Sequence, residues 1–348
     1  MPEYVIERVD IPTSLDEPEA ADFIAATEVR NAVEAEGYGT DELSQTAAED
    51  LPWWHNEFEP AEMFAVRVDG AIVGIATRET RPKASSTMAW LTLRVLPGFR
   101  RRGIGTALAD HVESLARREG QSELVSYAVS KDAPGERLQS PTGFGSVPAD
   151  NPEVRFLLSR GYRLEQVERG SRLALPTAAS IPPLADGYRL NQWSGPTPER
   201  WLDDLATLFT RMSTDAPSAG LEEPKDQWTA ERVAGLDERA LSGGRTALMT
   251  VVEHDGVLVG MSNLVAPREL ERPVMQWDTI VLREHRGHGL GMVLKAANLA
   301  LLQDVADGHP SIITFNAEEN RHMLNVNEAI GFVPIGYEGA WKRVQPLP

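Results

Sequence analysis

The chain has 348 residues, 42% hydrophobic and 25% charged, which fits globular protein and leaves room for two domains of about 150–200 residues. It contains no cysteine, which excludes disulfides, thiolate metal sites and thiol nucleophiles. A formal net charge of −18 argues against nucleic acid as a partner, since phosphate binding needs a basic face; it suits an amine substrate and, equally, plain solubility. No apolar run reaches the roughly 20 residues of a membrane span, and the charged start, Met1–Asp10, lacks a signal-peptide core. The expected setting is cytoplasmic, with no membrane partner; monomer and homodimer both stand.

Tyr4–Val9 reads as a strand, and a helical region entered from Pro12-Thr13-Ser14 carries apolar spacing through Phe23, Ile24, Ala25 and Val29. Residues 37–60 read as an irregular acidic connection holding Trp53 and Trp54, a pair that suits either a ligand pocket or a core. Met63–Val68, the turn Asp69-Gly70 and Ala71–Thr77 form a β-hairpin; Asp-Gly is a strong hairpin signal. Strand Met88–Val95 leads through Pro97-Gly98 into a basic turn and a helix reaching Arg118. Strand Glu123–Val129, a polar loop 131–152, helix Glu153–Arg160, Gly161 and strand material over 162–175 follow.

Leu175–Asp186 is rich in Pro and small residues and reads as a linker. The same order then returns. A strand at Tyr188–Gln192 and helical runs at Pro198–Met212 and Asp226–Leu241 come first. A second Asp-Gly hairpin joins Ala247–Glu253 to Val257–Val265. Strand Val274–Leu282, a turn, helix Met292–Ala306, strand Ile312–Asn316, helix Arg321–Ile330, Gly331 and a last strand over 332–344 complete the repeat. The expected domains are therefore 1–175 and 187–348, with 176–186 between them.

Each copy places Arg-x-x-Gly-x-Gly between a strand and a helix: Arg100, Gly103 and Gly105 in the first, Arg286, Gly289 and Gly291 in the second. Glycines let backbone amides close on a ligand, and the free N–H groups and positive dipole end of a helix seat phosphate oxygens. A nucleoside-triphosphate loop is absent, and a dinucleotide fingerprint fails because its third glycine is Leu108 or Leu294. His285 and His288 flank the second turn; with no third ligand evident, phosphate contact or simple exposure is expected there rather than metal.

The form strand–Arg-x-x-Gly-x-Gly–helix behind a hairpin resembles the GNAT superfamily of N-acetyltransferases. The doubled layout is similar to the tandem actinobacterial type that includes mycothiol synthase. The resemblance implies an α+β fold: two GNAT-like domains, each a mixed, mostly antiparallel sheet flanked by helices. It implies acetyl-CoA as donor, with its pyrophosphate on the amides of Arg101, Arg102, Gly103, Ile104, Gly105 and Thr106, or of Gly287, His288, Gly289, Leu290, Gly291 and Met292. The pantetheine arm would lie along Leu93, Arg94 and Val95, or Thr279, Ile280 and Val281, with Asn316 and Asn320 adding hydrogen bonds.

A family tyrosine that protonates the departing thiolate falls at Leu157 and Asn327, so neither half carries that acid. Asp278, in a strand where charge is uncommon, is the candidate base; its counterpart is Thr92, which cannot act as one. Asp278 and Asn320 make the second half the expected catalytic one, moving acetyl to a small-molecule or peptide amine by direct attack. No acyl-enzyme is expected, because neither a cysteine nor a serine in a nucleophile-elbow motif is present. A non-catalytic acyl-CoA-binding regulator and a synthase acting on a cysteinyl-aminosugar are the alternatives.

Overall fold

The computed structural model describes residues 4–81, 87–177, 180–215, 217–221 and 226–347. Residues 178–179 of the expected linker lie outside the described residues. The chain forms two compact units: Met1–Glu168 with Ala219–Glu222 and Gly336–Pro348, and Arg169–Ser218 with Glu223–Ile335.

Unit 1 begins with β1 (Glu7–Val9), α1 (Ala20–Tyr38) and α2 (Ala47–Trp54), then β2 (Ala61–Val68), β3 (Ala71–Thr80) and β4 (Met88–Val95). α3 (Ile104–Arg118), β5 (Glu123–Val129), β6 (Arg137–Gln139), β7 (Ser146–Pro148) and α4 (Pro152–Ser159) follow. β8 (Arg163–Ala174) leads into unit 2, which holds β9 (Tyr188–Ser194), α5 (Leu202–Asp215), α6 (Ala230–Ser242), β10 (Thr246–His254) and β11 (Val257–Ala266). β12 (Val274–Val281), α7 (Leu290–Val305), β13 (Ser311–Ala317), α8 (Arg321–Ile330) and β14 (Val333–Val344) end the chain. Among the described residues, no helix is long and apolar enough to cross a membrane.

In unit 1, β1, β2, β3 and β4 are antiparallel neighbours and β4 runs parallel to β5. Helices cover both faces: Val73 and Ala76 pack with Ile104, Leu108 and Val112 of α3, while Ile72 and Ile75 meet Phe23, Ala26 and Val29 of α1. Unit 2 repeats this. β9, β10, β11 and β12 are antiparallel and β12 is parallel to β13. Val252 and Val259 face Leu290 and Leu294 of α7, and Val251 and Met261 face Leu205 and Phe209 of α5.

Three local features depart from the sequence reading. α1 starts at Ala20 rather than near Leu15, because Pro18 lacks the N–H that a helix interior requires. α2 occupies part of the stretch read as irregular. Thr46 Oγ1 accepts from Glu49 N at 3.2 Å and Glu49 Oε2 from Thr46 N at 2.9 Å, a capping box that the sequence Thr-x-x-Glu spelled out. The loop 131–152 contains a short hairpin, with Arg137–Gln139 paired to Ser146–Pro148.

The last strand departs furthest. Glu338–Val344 of β14 pair antiparallel with Val129–Glu123 of β5, so the chain's end completes the sheet of unit 1. Unit 2 correspondingly begins at Arg169, ahead of the expected 187, where Leu173 packs with Ile312 and Leu175 N donates to Pro310 O at 2.9 Å. The pull on β14 is apolar: Trp341 is 0% exposed and packs in the same core as Leu108, Val112 and Tyr162. Trp341→Ala is expected to destabilise unit 1 by about 3–5 kcal/mol, the usual cost of emptying a buried aromatic site. Denaturant unfolding followed in unit 1 checks this, and a loss under about 1 kcal/mol would contradict the placement of β14.

Candidate functional site

A parallel strand pair ordinarily keeps its ladder along its length, but in both units it opens early. β4 and β5 are paired only at Met88↔Glu123, Ala89↔Leu124 and Trp90↔Val125. β12 and β13 are paired only at Val274↔Ile312 and Met275↔Ile313. Beyond these points Leu93, Arg94 and Val95 stay paired to Ala76, Ile75 and Gly74 of β3 on one side, and Thr279, Ile280 and Val281 to Ser262, Met261 and Gly260 of β11. Their other edges face an opening. A strand edge in that setting presents N–H and C=O groups that an extended, amide-bearing ligand can satisfy.

At the end of each opening lies a glycine-bearing turn of the same backbone shape. Arg101 and Gly103 have φ of 62° and 90°, and Gly287 and Gly289 have φ of 88° and 70°. Alternating left-handed residues turn successive amides toward one side, making an anion-binding concavity at the start of α3 or α7. Only glycine takes this geometry without cost, so Arg101 is strained where Gly287 is not. Gly74 and Gly260 let the strand sit close beneath these helices: a Cβ on Gly74 would lie 2.9 Å from Ile104 Cγ2, and one on Gly260 would lie 3.2 Å from Leu294 Cδ1.

The motif arginines hold the turns. Arg100 Nε donates to Val95 O at 3.0 Å and Arg286 Nε to Val281 O at 3.1 Å. Arg100 also pairs with Glu36 near the end of α1 (2.5 Å), and Arg286 with Asp215 at the end of α5 (3.5 Å). Their guanidinium groups are thus spent on fixing the turn, which leaves ligand contact to the backbone. Arg102 donates to Gly98 O at 2.9 Å, and its own carbonyl accepts from Tyr4 Oη at 2.9 Å.

The walls of the two openings differ. In unit 2, β12 is bulged where Ser262 pairs with Thr279 but Leu264 pairs with Gln276, leaving Trp277 and Asp278 opposite Asn263. Asn263 Oδ1 accepts from Asp278 N at 2.7 Å, and Gln276 Nε2 donates to Asn263 O at 2.6 Å, which locks the bulge. Asp278 keeps partial exposure, yet its carboxyl is surrounded by protein and burial pushes its pKa up to about 6. Asn316 lies on the open part of β13 and its Oδ1 accepts from Asn327 Nδ2 at 2.7 Å. Asn320 caps α8, its Oδ1 accepting from Met323 N at 3.3 Å.

In unit 1 the corresponding places hold Thr92 and Leu157, the latter 4% exposed and packed with the core. There the end of α1 lies across the opening. Glu34 Oε1 accepts from Arg94 Nε at 3.0 Å and Nη2 at 2.7 Å, and Gly37 sits so close to Val129 that a Cβ would come within 2.8 Å of its Cγ1. Tyr38 donates to Glu338, a buried carboxyl that burial holds above its usual pKa.

Trp54 packs edge-on against Phe23 at 6.1 Å, a core role. The His288 ring lies tilted against Tyr188 with centroids 5.4 Å apart, and His285 Nδ1 lies 3.1 Å from Tyr188 Oη. His254 joins them, 4.8 Å from the Tyr188 ring. Among the described residues, no group of three His, Cys, Asp or Glu could hold a metal ion. Lys295 of α7 escaped the sequence reading. It is 3% exposed, its ammonium lies 5.7 Å from the Phe332 ring, and burial pushes its pKa down to about 7. The available signal was a lysine inside the run Val293-Leu294-Lys295-Ala296-Ala297, where only a buried helix face is otherwise written.

Residues 27–137 match the model of the acetyltransferase (GNAT) family. Two curated relatives are both named mycothiol acetyltransferase. The one from Geodermatophilus obscurus is 26% identical over 288 residues, 82% of either chain, and the one from Salinispora arenicola is 28% identical over 335 residues, 93% of either chain. A solved tandem GNAT protein from the clavulanic acid biosynthesis pathway superposes with a TM-score of 0.75 at 23% identity, covering 99% of this chain and 100% of its own. A GCN5-related N-acetyltransferase from Sphaerobacter thermophilus gives 0.65 at 17% identity, covering 99% and 97%. The α+β architecture of both units is therefore the GNAT fold, and residues 27–137 match the acetyltransferase family that carries it.

Proposed function

We propose that unit 2 is the catalytic unit and that it moves the acetyl group of acetyl-CoA to a primary amine by direct attack within a ternary complex. The observation that carries this reading is Asp278, an ionisable carboxyl set at a locked bulge on the open edge of β12. An amine must be neutral to attack, and a carboxylate with a pKa of about 6 is ionised at neutral pH while remaining basic enough to take the proton. The amides of Gly287, His288, Gly289, Leu290, Gly291 and Met292 receive the pyrophosphate. The edge of Thr279, Ile280 and Val281 receives the pantetheine arm, and Asn316 with the free amide nitrogen of Asn320 completes the cleft.

Unit 1 offers the same turn to coenzyme A through Arg101, Arg102, Gly103, Ile104, Gly105 and Thr106, beside Leu93, Arg94 and Val95. With Thr92 and Leu157 in its wall and Arg94 tied to Glu34, it serves as a scaffold or a weak cofactor site. Two relatives are named mycothiol acetyltransferase, and on that likeness the acceptor to try first is the amine of a cysteinyl-aminosugar conjugate. That conjugate belongs in the test panel beside simple amines, aminoglycosides and peptide N-termini.

Thiol release from acetyl-CoA across that panel is expected with at least one amine; tight acetyl-CoA binding without turnover on any amine would favour a regulator instead. Gly289→Glu, placing a side chain at φ +70° and an anion in the phosphate seat, is expected to abolish transfer, whereas Gly105→Glu leaves it intact. The reverse pattern would move the chemistry to unit 1.

Asp278→Asn is expected to act in opposite senses on rate and stability. Loss of the base lowers kcat by about 10²–10⁴-fold. The folded-state pKa is raised, so the native protein holds a proton that the unfolded chain has released. Stability therefore falls as pH climbs from about 4 to about 6, by at most about 3 kcal/mol. The Asn variant should lack that slope and melt higher than the parent at pH 7–8. A variant that is both fully active and unchanged in its pH–Tm profile would remove Asp278 from the cleft.

A further inference from the structure

The thiolate that leaves acetyl-CoA needs a partner, and unit 2 lacks the expected one. Its tyrosine, Tyr188, is engaged with His285 beside the phosphate turn, and the family's acid position is Asn327. Asn327 is 1% exposed, on the face of α8 that reaches the end of β13. Its Nδ2 donates to Asn316 Oδ1 at 2.7 Å, while its own Oδ1 finds no partner. A buried amide oxygen left unpaired costs roughly 1–3 kcal/mol, which a purely structural residue such as the leucine at the same place in unit 1 avoids. The Asn327–Asn316 bond also fixes the outer amide. With Asn316 Oδ1 committed, its Nδ2 protons are left for the opening, past the last β12–β13 pair at Ile313.

We propose that Asn316, oriented by Asn327, donates N–H to the departing sulfur of coenzyme A, so that the thiolate leaves stabilised but unprotonated. This rests on the reading of unit 2 as the catalytic unit. The amine nitrogen forms the C–N bond and the C–S bond breaks with its electron pair on sulfur. The amine's proton passes to Asp278 and on to solvent, and the free thiolate takes a proton from water. A thiol ionises near pH 8.5, so its anion is an adequate leaving group once its charge is met by a fixed donor. Asn316 touches the reacting atoms in this scheme; Asn327 is a positioning residue.

The test compares acetyl-CoA with its selenoester counterpart, whose selenolate leaves without help, using the best amine of the panel. Asn316→Ala and Asn327→Leu are expected to lower kcat by ~10–100-fold with the thioester and by less than about threefold with the selenoester, with KM for donor little changed. Asn327→Gln should recover part of the loss. The parent enzyme's kcat should show no descending limb below about pH 10, and Asn327→Tyr should introduce one. Equal losses with both donors, or an alkaline limb in the parent, would overturn the assignment while leaving acetyl transfer standing. A parent enzyme inert with every amine would overturn both.

Discussion

Two strands that begin parallel and then part leave backbone groups with nothing to bond to, and that constraint organises each unit. Met88–Trp90 and Val274–Met275 are the last residues of β4 and β12 to hold a parallel partner. Past them, β3 and β11 still satisfy one edge, so the strands stay seated while the other edge keeps its N–H and C=O groups unpaired to a strand. The arginine of each turn then binds the carbonyl of the last strand residue, Val95 or Val281, which fixes where strand ends and helix begins. Seat and edge are rigidly linked by that bond. A molecule with a diphosphate at one end and an amide-bearing arm would match both at once, through backbone groups more than through any one side chain.

The same duplication explains what could be read from the chain alone. Hairpins at Asp69-Gly70 and Asp255-Gly256, the strand–turn–helix order and the helix ends at Gly161 and Gly331 are local signals, set by φ requirements and apolar period. They survive folding unchanged. The partner of β14 is not local: nothing in the residues 333–344 says that Trp341 fills a cavity among Leu108, Val112 and Tyr162, some 180 to 230 positions earlier in the chain. Strand partners are chosen by complementary cores, and a repeat offers two cores of the same kind. Likewise Asp278 could be named as an unusual charge in a strand, but the bulge that presents it depends on Asn263 and Gln276, polar residues in strands whose purpose appears only when they meet.

Comparing the copies position by position gives a measure of where function is paid for. Thr92 in unit 1 stands opposite Asp278 in unit 2, Leu157 opposite Asn327, and Ala109 opposite Lys295, counted from the turns and from the helix-ending glycines. In each pair unit 1 has a residue with neither a charge nor a side-chain amide. Unit 2 has a buried carboxyl held up to about 6, an amide oxygen without a partner and an ammonium held down to about 7. Buried, incompletely satisfied polar groups each cost on the order of 1–3 kcal/mol. Functional sites are where such local inconsistencies persist. At the corresponding positions unit 1 instead has Thr92, Leu157 and Ala109, with the Arg94–Glu34 pair beside its opening. The two halves thus share one backbone design and differ in the polar groups set into it.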